Sequence, residues 1–92
     1  MLPTHRQPTH PGEILLEEFL KPLELTTEDL ATHLEIPTQQ MNEIIKGDRG
    51  ITPEIAWFFS QAFQTSPEFW MNLQTHYDLC LSRPKLLKSA IA

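Results

Sequence analysis

Ninety-two residues allow one domain, read here as 1–92 with a folded core of about 10–81, and a chain of this size buries only about 60–65% of its unfolded surface, so a partner subunit would help its modest core. Hydrophobic content of 40% is ordinary for a soluble globular protein; no apolar run approaches the ~18 residues that span a bilayer, MLPTHRQPTHPGE holds no apolar stretch of signal-peptide type, and lone Cys80 cannot form an internal disulfide, which together lead one to expect the cytoplasm. The net charge of −5 lies on residues 1–35, seven acids against two cations, while residues 36–92 balance five against five, which leaves room for local phosphate contacts and offers an acidic third to a basic protein partner.

In chain order, His10-Pro11-Gly12-Glu13 opens a first helix over 11–20, with Ile14, Leu15, Phe19 and Leu20 near a 3.6 period and Lys21-Pro22 at its end. Thr26-Thr27-Glu28-Asp29 starts a second helix, 27–34, with acids in its first turn that suit the helix dipole. Ile36-Pro37 starts a third, 37–46, because the residue before proline is held out of the α region. Thr52-Pro53-Glu54 and Ser66-Pro67-Glu68 each place proline just after a capping hydroxyl, predicting helices over 53–63 and 67–81. The fourth turns Ile55, Phe59, Ala62 and Phe63 to one side, the fifth Phe69, Trp70, Leu73, Tyr77 and Leu81. No stretch alternates like a strand, so the fold class is all-α with five helices; a mobile tail is expected from Arg83 to Ala92.

The second and third helices are joined by almost nothing. Leu30 and Leu34 make the inner face of one, Ala31 sits where the helices cross, Ile36 plugs the turn, and Met41, Ile44 and Ile45 line the other. Such a pair, crossing at about 90–120° through a short turn, is a helix-turn-helix, whose second helix enters the DNA major groove. At 100° per residue the outward side is Gln39, Asn42, Glu43 and Lys46, with Thr38 and Gln40 beside it at the helix start. Glutamine and asparagine pair with adenine, glutamate accepts from cytosine, and Lys46 and Arg49 suit phosphates. A solvated face on an ordinary helical hairpin is the plain alternative.

Other residues carry less chemistry. Of the neighbours Trp57 and Phe58, one must face outward or meet a partner; Trp70 belongs in the core, and Tyr77, Asp78 and Leu81 are candidates for a dimer seam. His5, His10, His33 and His76 lack metal spacing, so no metal and no cofactor is expected. Cys80 reads as a small buried apolar residue, and Glu17-Glu18 point about 100° apart, so they share no acid–base site. No constellation supports an enzyme.

Four stretches, HPGEILLEEFLKPL at 10–23, LATHLEIP at 30–37, NEIIKGDRGIT at 42–52 and TSPEFWMNLQTHYDL at 65–79, resemble the HigA-type antitoxins, also called virulence-associated protein I-like, within the phage-repressor-like helix-turn-helix proteins. The resemblance covers about residues 9–80. It implies a five-helix, lambda-repressor-like fold, a homodimer, and a palindromic double-stranded operator beside its own gene. It also implies a HigB-type toxin partner, a small RelE-like ribonuclease that cleaves messenger RNA and that the antitoxin neutralises while repressing the operon. Two positions depart from the family pattern: Glu35 stands where a turn glycine is usual, and Asp48 dilutes the basic loop. Both lower the expected DNA affinity. A solitary regulator without a toxin, and an interaction module whose DNA binding has decayed, remain open on the residues alone.

Overall fold

The local start signals work as the sequence implies. In the structure, a computed structural model that describes residues 8–82, the Thr26 hydroxyl accepts the Asp29 N–H at 3.0 Å while the Asp29 carboxylate accepts the Thr26 N–H at 3.1 Å. Thr52 caps Ile55 at 3.2 Å and Ser66 caps Phe69 at 3.1 Å. Each such cap is worth about 1 kcal/mol, because a first-turn amide would otherwise have no partner in the helix. The helices are α1 (Pro11–Ile14, running on as a π-helical stretch over Leu15–Leu20), α2 (Thr27–Leu34), α3 (Thr38–Lys46), α4 (Pro53–Phe63) and α5 (Pro67–Leu81). Among the described residues there is no strand.

Two details depart from expectation. The third helix begins at Thr38, and Pro37 is its cap, with ψ of 136° that is extended rather than helical. The first helix does not keep the 3.6 period. Leu15 and Leu20 are both fully buried, yet residues five apart on an α-helix point roughly 140° away from each other. The wider i→i+5 turn, seen in the Lys21 N–H bond to Leu16 O at 3.0 Å and Leu25 N–H to Leu20 O at 2.9 Å, brings both leucines onto the core side.

The core joins all five helices: Leu15 and Leu20 from α1, Leu30 and Ala31 from α2, Met41 and Ile44 from α3, Ile55, Ala56 and Phe59 from α4, and Trp70 from α5. Trp70 is fully buried, as expected, with Phe19, Phe59 and Phe69 rings 5.0–5.2 Å from it. Trp57, at 58% exposure, is the outward member of its pair, while Phe58 packs against the core. The expected stripe on α5 is corrected: Phe69 and Leu81 are exposed, and Gln74 is buried on the Trp70 side. Cys80 is exposed, not buried, because residues 78–82, at the end of α5, run past the core and are all exposed. The expected mobile tail lies outside the described residues.

Candidate nucleic-acid interface

The geometry begins at the turn between α2 and α3. Leu30, Ala31, Met41 and Ile44 are buried between the helices, and Ile36 fills the corner with its N–H on the Ala31 carbonyl at 2.9 Å. Glu35 ends α2 in the left-handed conformation, φ 58° and ψ 40°, where glycine meets no steric penalty. The departure noted in the sequence therefore carries real backbone strain, and the turn keeps its shape regardless. α3 ends at Gly47, also left-handed, with Lys46 in its last turn.

The outward face of α3 holds the expected residues. Gln39 and Lys46 are exposed; Thr38, Gln40, Asn42 and Glu43 are half-buried beside them. α2, α4 and α5 each have a hydroxyl cap, whereas the start of α3 has no side-chain cap and no acid in its first turn. Arg49, in the loop after α3, is not a free cation. Its Nε and Nη2 both donate to Glu43 Oε1, at 2.8 and 2.7 Å. Those bonds, helped by the Gln39 amide, hold the Glu43 carboxyl below the usual carboxylate range, so it stays ionised. One acceptor oxygen, Oε2, is left over from this pair. Among the described residues Lys46 is the cation without an ion-pair partner, since Lys21 pairs with Glu17 at 2.9 Å.

Two residues that the sequence does not connect with this surface pack beside its loop and the end of α3. Gln74 of α5 accepts the Ile51 N–H at 2.6 Å and donates to Asp78 Oδ1 at 2.9 Å. Its sequence signal was present: it lies four residues after Trp70, a polar group on a buried stripe. His10 caps α1 through Nδ1, which accepts the Gly12 N–H at 2.8 Å, and its ring meets Tyr77 edge-on at 4.7 Å. Tyr77 and Asp78, two of the three seam candidates, thus already have partners within the chain, while Leu81 is 55% exposed and Leu79 65%.

Burial pushes the His10 pKa below its ordinary value, against the opposing pull of Asp78 and Asp48. A protonated Nδ1 also cannot accept the Gly12 N–H. The stabilisation is therefore present above the unfolded histidine pKa of about 6.5 and lost as pH falls through the lower folded value. His10→Asn keeps a capping acceptor and cannot titrate. Thermal midpoints between pH 7.5 and 5 are expected to fall more steeply for the wild type than for this variant; parallel curves would refute the assignment.

No protein-family model matches the chain. An HTH-type transcriptional regulator of Haemophilus influenzae is 47% identical over 80% of this chain and 69% of its own length. Antitoxin HigA-1 of Vibrio cholerae is 32% identical over 98% of this chain and 85% of its own length. The chain belongs to the HigA family of helix-turn-helix regulators. Antitoxin HigA of Pseudomonas aeruginosa, solved with the higBA promoter, superposes with a TM-score of 0.80 at 40% identity, covering 82% of each chain. Several other curated relatives of this HigA-family chain extend beyond the match, which spans 64–66% of their length. Among the described residues no group of three metal-ligating side chains is found, and no helix is long and apolar enough to cross a membrane.

Proposed function

We propose that this HigA-family chain is a single-domain, sequence-specific DNA-binding protein of the cytoplasm that binds a palindromic operator as a homodimer, represses its own operon, and acts as the antitoxin of a type II toxin–antitoxin pair. The observation that carries the reading is the α3 face, where Gln39, Asn42, Glu43 and Lys46 stand on one side of a helix held at the surface by α2 and α1. Gln39 and Asn42 supply donor–acceptor pairs for adenine, and Glu43 Oε2 an acceptor for cytosine. Lys46, Arg49 and the uncapped amides of Thr38 and Gln40 face phosphates. A half-site alone would bind weakly with so few cations. Two copies, with α3 helices about 34 Å apart, double the phosphate contacts and read both halves of a palindrome. For the seam we propose the end of α5, and the exposure of Leu79 and Leu81 beside Tyr77 and Asp78 supports it.

Toxin neutralisation rests on the family and on charge: a ribonuclease that binds RNA presents cations, and residues 1–35 present the acids. The partner is a HigB/RelE-like protein, and no step in this reading asks the chain for catalysis.

Fluorescence anisotropy on the duplex upstream of its own reading frame tests the DNA reading. Gln39→Ala and Asn42→Ala are each expected to lower specific affinity by about 1–3 kcal/mol with little change on random sequence. Lys46→Ala is expected to weaken both duplexes alike and to flatten the salt slope by about 0.9. Unchanged operator affinity in the Gln39/Asn42 double variant would sink the assignment of the reading face.

A further inference from the structure

The loop from Gly47 to Ile51 carries Arg49 and connects α3 to α4. It is anchored at both ends by hydrogen bonds. At its start, the N–H groups of Asp48 and Arg49 both reach the Glu43 carbonyl, at 2.8 and 3.2 Å. At its end, Ile51 is buried and its N–H goes to the Gln74 side chain, 23 residues away on α5. Gln74 is itself buried, and the other end of its amide is held by Asp78. The amide also lies flat against Gly50: a Cβ there would meet Gln74 Cδ, Oε1 and Nε2 at 3.1 Å each. An apolar side chain could fill this space. An amide with both ends used does something further, because it fixes where the backbone passes.

We propose that Gln74 is a positioning residue for DNA binding: from α5 it sets the Gly50–Ile51 backbone, and through it the placement of Arg49 toward a phosphate. The inference rests on the DNA-binding reading above. Without the Gln74 acceptor, the Ile51 N–H is buried and unpaired, and such a group moves toward water. Gly50 moves with it and Arg49, one residue further back, loses its aim. The Glu43 pair holds the guanidinium at one end only; the loop backbone sets the other end, the point and direction from which the Arg49 side chain leaves the chain. Asp78, next to Tyr77 near the end of α5, extends the connection toward the seam proposed for the dimer.

The test compares wild type, Gln74→Met, Gly50→Ala and Arg49→Ala on the duplex upstream of the reading frame, across a salt series, and on a random duplex of equal length. Gln74→Met removes both hydrogen bonds at nearly constant volume. Gly50→Ala presses on the amide from the loop side and leaves Gln74 intact, so it decides the matter if the methionine variant does not fold. Each is expected to weaken binding on both duplexes about tenfold and to make the salt slope shallower by about 0.9, the loss of one phosphate contact. Adding Arg49→Ala to either is then expected to change affinity less than twofold. Ile51 amide exchange, measured without DNA, is expected to accelerate in Gln74→Met while core amides of α4 keep their protection.

A residue that only stabilised the fold would lower the melting temperature and leave the slope and the Arg49→Ala effect whole, and that result overturns the proposal. Unaccelerated exchange at Ile51 overturns it independently of any DNA. Wild-type protein that binds no duplex removes the DNA-binding reading and this inference with it, whereas normal wild-type binding with an unaltered slope in the variants removes this inference alone.

Discussion

Trp70→Ala is expected to lower stability by about 3–5 kcal/mol and the melting temperature by at least roughly 12 °C, read by thermal denaturation. The size follows from what the indole joins. Phe19 of α1 lies 5.2 Å from it, Phe59 of α4 at 5.0 Å and Phe63 at 6.4 Å, so three helices meet on one side chain. Its Nε1–H donates to Thr65 Oγ1 at 2.8 Å, which ties α5 to the α4–α5 corner. Alanine leaves a cavity that fixed backbones on all sides cannot close, and it strips Thr65 of its partner. A domain of this size has about 5–15 kcal/mol in total, so the variant is close to the edge of folding at physiological temperature. Trp70→Phe keeps most of the ring contacts, and a loss of about 1–2 kcal/mol is expected there. Equal losses for the two variants would mean that the hydrogen bond, not the packing, carries the effect.

None of the residues at that junction is on the face offered to DNA. Trp70→Ala should therefore reduce operator binding only by reducing the folded fraction, and the salt slope of what remains folded should be that of wild type. This separates it from Gln74, four residues along the same helix, whose loss is expected to change the slope. One face of α5 thus carries two different duties, holding the core together and placing the loop.

Which parts of this were legible in the sequence follows from the range of the interactions. Thr26 with Asp29, Thr52 with Ile55 and Ser66 with Phe69 are bonds across three residues, and in the last two a proline stands directly after the capping hydroxyl. Helix starts were accordingly readable. The α3 face was readable because one period relates Gln39, Asn42, Glu43 and Lys46, and because Met41 and Ile44 fix which side is inward. The rest depended on residues far apart. Nothing beside Gln74 says that it will meet Ile51, and nothing beside His10 says that its ring will meet Tyr77. The Glu43–Arg49 pair needs a loop that folds back across Gly47. The π-helical turn follows from two leucines, Leu15 and Leu20, that the core claims together although the α-helical period sets them apart.

Gly12→Ala is expected to cost about 3 kcal/mol, although it adds a single methyl group. A Cβ at this position would fall on the carbonyl oxygen of Ile44, well inside van der Waals contact, and would lie 2.7 Å from the carbonyl carbon and 3.0 Å from Ile45 Cα. These are backbone atoms near the C-terminal end of α3, so no side chain can rotate away. The helices must separate. α1 is held against α3 at this point and has few alternatives, since its cap is His10, whose ring packs under Tyr77 and over Gly47. Pushing α1 away disturbs the helix that carries Gln39 and Asn42 from the side opposite the DNA. The expected result is a melting temperature lower by roughly 12–24 °C, together with loss of operator binding at temperatures where the variant still has most of its helical circular dichroism. A normal substitution in a helix interior runs the other way, because alanine stabilises a helix by about 1 kcal/mol over glycine. The two effects have opposite sign, and the sign of the measured change decides whether α1 and α3 approach as closely as this geometry requires.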